Sequence, residues 1–214
     1  MNLLLVLPLL VPLATAAATI LLARSPSATR AASFAGAAAF LAAAVALLGA
    51  TLDGTILVTQ AGAWAAPFGI SLVADRFAAA MVLVAAVLLA AVVAYSVRGV
   101  DGARERAGYH PLLHVLSMGV SGAFLTGDLF NLYVWFEVML MASFVLVSLG
   151  GERAQLQGAL KYVVLNLVSS ALFLAGAGLL YGSVGTLNMA DAAVALRDLP
   201  AQGLPSVVAS LFLL

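Results

Sequence analysis

No cysteine occurs among the 214 residues, and charged side chains make up only 8% of them. The first absence removes disulfides, thiolate nucleophiles, iron–sulfur clusters and cysteine zinc sites together, and two histidines do not complete a zinc site by themselves. No metal centre or other cofactor is expected. The scarcity of charge excludes an ordinary soluble domain, in which about a quarter of the residues are charged. Nine Lys and Arg balance nine Asp and Glu, so no basic surface attracts nucleic acid and no acidic tail solvates the chain. Nucleotide and zinc-protease signatures are missing too: there is no G-x-x-x-x-G-K-[ST], no G-x-G-x-x-G after a strand and no H-E-x-x-H.

What is present is apolar sequence, 64% of the chain, at a mean hydropathy of +1.16. A helix needs about 20 mostly apolar residues to cross a bilayer core of about 30 Å. Six runs meet that need, at residues 3–23, 31–52, 72–97, 109–126, 129–149 and 160–181, and residues 205–214 read as the start of a seventh. The expected architecture is an all-α polytopic membrane protein in a single membrane domain. Pro8 and Pro12 fall in the first run, where membrane helices tolerate proline because neighbouring helices and water satisfy the freed carbonyls. The second run is rich in alanine, which allows a neighbouring helix close approach. Only Gly127-Asp128 separates the fourth run from the fifth, so these two form a tight antiparallel pair.

Between the second and third runs, residues 55–69 carry Thr55, Val58 and Thr59, then Gly62, Pro67 and Gly69, a pattern for a short external β-hairpin. Residues 187–199 are amphipathic and suit the membrane interface. The chain stops inside an apolar run and reads as truncated. Arg24, Arg30, Arg98, Arg104, Arg106, Arg153 and Lys161 lie in or beside the odd-numbered connections, against Arg76 and Arg197 in the even ones. Positive residues accumulate in cytoplasmic loops, which puts the N-terminus outside.

Glu137 is the conspicuous candidate for function, eight residues past the start of a 21-residue run. A carboxyl at that depth costs roughly 2.5–3.5 kcal/mol on insertion scales. Twelve Leu, Phe and Val in the same run, at about −0.3 to −0.6 kcal/mol each when central, more than offset it. Low-dielectric surroundings favour the protonated carboxyl and a nearby cation the ionised one, so a moving cation can load and unload its proton. Three readings stay open: a proton or cation pathway, a structural lock between helices, and a boundary shift that returns Glu137 to the interface. Tyr133 and Met141 share its helix face.

Lys161 lies within a turn of the end of its run, where a long side chain reaches the interface; it and His114 are candidate relay residues. His114 lies five residues inside the fourth run, with an imidazole suited to proton shuttling, though core packing accounts for it equally well. His110 is placed at the boundary. Asp75 and Asp128 stand where helix N-caps are expected.

The run from Gly122 to Phe144, GAFLTGDLFNLYVWFEVMLMASF, closely resembles the helix-four to helix-five region of the D subunits of Mrp-type multisubunit Na⁺/H⁺ antiporters. These look like relatives of the proton-pumping subunits L, M and N of NADH-quinone oxidoreductase and of membrane-bound hydrogenases. Residues 159–170, ALKYVVLNLVSS, are similar to the sixth helix of that superfamily, and residues 69–76 to the entry of the third. The resemblance implies that Glu137 is the essential carboxyl of the fifth helix. It also implies a lysine partner on helix seven, which lies beyond these 214 residues. The expected protein is a proton-translocating subunit in a plasma-membrane hetero-oligomer. Its partners are the other antiporter subunits and the lipid bilayer, and it exchanges H⁺ against a monovalent cation. A subunit of a redox-driven proton pump and a structural membrane subunit without an ion path are the alternatives.

Overall fold

The computed structural model describes residues 2–198 together with 207 and 209. Among the described residues, eight α-helices and one two-stranded sheet follow in the order α1 (Leu3–Leu21), α2 (Pro26–Gly49), β1 (Leu57–Gln60), β2 (Ser71–Ala74), α3 (Arg76–Gly99), α4 (Gly102–Arg106), α5 (Tyr109–Leu125), α6 (Leu129–Ser148), α7 (Arg153–Val184) and α8 (Met189–Ala195). Among the described residues, α1, α2, α3, α6 and α7 are long and apolar enough to cross a membrane. Helix α5 has 17 residues, the lower edge of the usual spanning length. The expected seventh helix at residues 205–214 lies outside the described residues except for positions 207 and 209.

Several expected boundaries are corrected. Helix α2 begins at Pro26, five residues before the apolar run, because the Ser25 side chain accepts the backbone N–H of Ala28 as an N-cap and proline fits the first helical position. Arg30 is therefore a helix residue. The stretch assigned to the start of the third span is strand: β2 pairs antiparallel with β1, Leu57 opposite Ala74 and Gln60 opposite Ser71. An apolar run of four residues does not distinguish strand from helix by periodicity. The Asp75 side chain then caps α3 through the N–H of Ala78, and Asp128 caps α6 through that of Asn131, both as expected. Helix α7 starts seven residues before its expected start at Leu160, since Arg153, Ala154, Gln155 and Leu156 are good helix formers that a hydropathy criterion discounts. Within the amphipathic segment, α8 is followed by a short 3₁₀ turn at Leu196–Asp198.

Helices α1, α2, α3 and α5 form the core, joined by β2. Phe40, Leu5, Leu47, Val82, Val93 and Leu125 are fully buried there. Gly36 makes the α1–α2 approach possible, since a Cβ at that position would run into the Thr15 side chain. Gly122 does the same for α5 and α6 under the ring of Trp135. Helix α6 packs on α5, and α7 packs on α6.

At the hairpin end, the N–H of Gly127 donates to the Ser71 carbonyl and that of Met189 to the Gly127 carbonyl, both at 2.8 Å. The Asn188 amide donates to Ser71 Oγ at 3.1 Å. One loop thus ties the hairpin, the α5–α6 corner and the start of α8 together.

Candidate functional site

Glu137 is the ninth residue of the twenty in α6, and Ser170 lies near the middle of α7. The Ser170 hydroxyl donates to Glu137 Oε1 at 2.5 Å. Glu137 is half-buried and makes no ion pair among the described residues. A hydroxyl both donates and accepts, so Ser170 can bond the carboxylate and equally the carboxylic acid. The contact is compatible with either protonation state.

Ser170 also lines a groove of about 670 Å³ between α5, α6 and α7, with Ser143, Tyr162, Asn166 and Ser169 among its polar walls. Tyr162 Oη and Ser143 Oγ bridge the two helices at 2.9 Å. On the apolar side, Phe173 stacks on Tyr133 at 6.3 Å between ring centres and meets Phe136 edge-on at 5.7 Å. Tyr133 is thus engaged in packing.

Lys161 is exposed. It stands eight residues inside α7, which corrects the expectation that it lies within a turn of the helix end. Ser170 stands nine positions further on, about 13 Å along the helix, and the structure does not bring Lys161 to Glu137.

The two histidines differ most from the sequence reading. His110, expected at the boundary, is fully buried, as is His114. The Ser33 hydroxyl on α2 lies 3.1 Å from His110 Nδ1 and 3.0 Å from His114 Nε2. His110 Nε2 contacts Glu105 Oε1 at 3.3 Å. Arg30 holds the same carboxylate in a two-pronged pair, Nε to Oε1 and Nη2 to Oε2, both 2.7 Å. The Arg30 guanidinium, with help from His110, holds the Glu105 carboxyl below its usual range against the opposing effect of burial. Sequence inspection does not pair Ser33 with residues 77 and 81 positions away. The available signal was the four-residue spacing of His110 and His114, which puts both on one helix face.

Comparison with known proteins gives this geometry a context. Residues 126–214 match the family model described as NADH:quinone oxidoreductase/Mrp antiporter, TM. Over all 214 residues the chain is 44% identical to the D subunit of the Na⁺/H⁺ antiporter of Bacillus subtilis (strain 168). The chain is thus similar, over its whole length, to members of the NADH:quinone oxidoreductase/Mrp antiporter family. It spans 43% of the length of that relative. The fold superposes on a chain of the Mrp complex from Dietzia sp. DQ12-45-1b with a TM-score of 0.82 and 32% identity, covering 99% of this chain and 41% of that one. It also superposes on a chain of a membrane-bound sulfane sulfur reductase, an archaeal respiratory membrane complex. There the TM-score is 0.88 at 28% identity, covering 97% of this chain and 44% of the other.

Proposed function

We propose that the protein is a proton-translocating subunit of a multisubunit monovalent cation/proton antiporter, with Glu137 as its proton-carrying carboxyl. The observation that carries the reading is 44% identity along the whole chain to a subunit named for Na⁺/H⁺ antiport, together with a carboxyl at mid-helix on α6 bonded to a hydroxyl on α7. In this reading α1, α2, α3, α5, α6 and α7 are six membrane spans. The end that carries Arg24, Arg30, Arg104, Arg106 and Arg153 faces the cytoplasm, and the N-terminus and hairpin lie outside. The plasma membrane is the site of action, and other antiporter subunits are the partners.

The proposed step is charge neutralisation. A cation approaching Glu137 favours release of its proton, and its retreat favours reloading, while Ser170 keeps hold of the carboxyl in both states. The test is cation-dependent proton movement in vesicles that contain the assembled full-length complex. Glu137→Ala is expected to abolish it and Glu137→Asp to retain part of it. Full activity in Glu137→Ala removes Glu137 from the mechanism.

A second reading, a pumping subunit of a redox-driven complex, draws on the TM-score of 0.88 with the sulfane sulfur reductase chain. Adjacent genes separate the two: six or seven small antiporter subunits favour the first, and dehydrogenase and iron–sulfur subunits the second.

A further inference from the structure

The polar groups at the α1–α2 turn end form a continuous hydrogen-bonded line away from Glu137. A cavity of about 190 Å³ opens there, walled by Thr29, Glu105, Arg106, Gly108, His110 and Pro111 among others, and roomy enough for water. From its wall the line runs Glu105, His110, Ser33, His114, with contacts of 3.3, 3.1 and 3.0 Å. Ser33 and both imidazoles are fully buried. His114 Nδ1, the far end, has no hydrogen-bond partner among the described residues.

Bonding logic orders the protons along this line. An ionised Glu105 only accepts, so a neutral His110 places its proton on Nε2 and leaves Nδ1 bare. Nδ1 takes the Ser33 hydroxyl proton, and the Ser33 oxygen then accepts from His114 Nε2–H. His114 Nδ1 is left as a bare lone pair in the bundle interior.

We propose that Glu105, His110, Ser33 and His114 form a proton wire joining the loop-end cavity to the interior of the α1, α2 and α5 bundle. The proposal rests on the reading of the chain as a proton-moving subunit, and its connectivity does not involve Glu137. One proton arriving at His114 Nδ1 releases the Nε2 proton to Ser33 Oγ. Ser33 passes its own proton to His110 Nδ1, and His110 gives its Nε2 proton to Glu105, from which the cavity removes it. One proton enters and one leaves; the transfer leaves both rings protonated on Nδ1, and from that state the reverse order restores the starting tautomers. Along α5, Ser117 and Ser121 continue the face of His110 and His114 at helical spacing, so the polar stripe extends inward beyond the wire.

The charged surroundings of the wire are few. On α2, Arg30 pairs with Glu105. Helix α1 and strand β2 carry no titratable side chain. On α4, Arg106 lines the cavity and Arg104 pairs with Asp101. Helix α3 contributes Arg76, bonded to the Leu52 carbonyl at the hairpin end, and Tyr95 and Arg98 near the cavity end. The α6 groups Tyr133 and Glu137 make their contacts with α7. Tyr109 touches the His110 ring edge-on at 5.5 Å between centres.

The test uses the full-length chain assembled with its partner subunits in membrane vesicles. Ser33→Ala removes the hydroxyl between the two rings, and cation-dependent proton uptake per assembled complex is expected to fall by about tenfold or more. Ser33→Thr restores a hydroxyl and is expected to recover most of the uptake. Unchanged uptake in Ser33→Ala overturns the wire, as does a folded Ser33→Thr that recovers nothing. Glu137→Gln, measured in parallel, separates the two readings. Loss there with Ser33→Ala active removes the wire alone, and the opposite pattern removes the role of Glu137 alone. If Ser33→Ala does not assemble, ¹⁵N NMR of histidine-labelled wild-type complex at about pH 8 decides. Protons on Nε2 of both neutral rings support the wire. A proton on His114 Nδ1 beside a neutral His110 protonated on Nε2 leaves Ser33 facing two acceptors and overturns it.

Discussion

In the most apolar stretches of α1, α2 and α3, between 33% and 39% of the residues are buried inside the protein, against 17% in α6 and α7. The helices are similar in composition but differ in what holds them. The first group is joined through Phe40, Leu5, Val82 and Val93 and through polar contacts such as Ser33 with His110 and His114. The second pair meets through a few rings, the Tyr162–Ser143 bridge and the Glu137–Ser170 bond, beside an open polar groove. Burial holds the polar groups of the first region to fixed partners, whereas partial exposure leaves those of the second open to a change of partner.

The contrast breaks most clearly in stability. In the 214-residue chain, Phe40→Ala leaves a cavity in the core and is expected to cost about 3 kcal/mol. Leu165→Ala, at a position 70% exposed on α7, is expected to cost less than about 0.5 kcal/mol; equal losses in a denaturation series in detergent remove the distinction. Gly36→Ala, which drives a methyl into Thr15, is expected to cost about 1–3 kcal/mol by overpacking, readable in the same series. Asp128→Ala deletes the α6 cap at 2.8 Å from the Asn131 N–H and is expected to cost about 1 kcal/mol.

The smallest effect is expected at the Arg30–Glu105 clamp, because Arg30 is 37% exposed and screened by solvent. Glu105 titrates below its ordinary value in the folded chain. The stabilisation is thus complete above the ordinary carboxylate range and is lost as pH falls through the lowered value. A melting-temperature profile from neutral to acid pH should show a step that Arg30→Ala diminishes. A profile identical in Arg30→Ala removes the clamp as its source.

The helical framework was legible because long apolar runs have few other solutions in a membrane. Glu137 was legible because a lone carboxyl in such a run is expensive. Its partner was not, since nothing local links Glu137 to Ser170, 33 positions on. Ser33 was hidden for the same reason, and His110 was misplaced because its distance from a run boundary says nothing of how α1, α2 and α4 fold over it. The hairpin was expected, but its second strand was hidden inside an apolar stretch that suits a helix as well.

The tie at Gly127 has a mechanical corollary. Beside it, the Leu129 N–H donates to the Leu187 carbonyl at 2.9 Å, so α6 and α7 are anchored to each other at one extremity. Towards the other, the described contacts between them are the Tyr162–Ser143 bridge and the turn through Gly150 and Gly151, where a Cβ at Gly151 would meet no other group. Two rods clamped at one tip and held more lightly towards the other behave like tweezers. Spin labels at positions 149 and 156 should report a broader spread of separations than labels at 129 and 187, and the Glu137–Ser170 grip sits midway along the arms, where a swing at the lightly held tip arrives reduced.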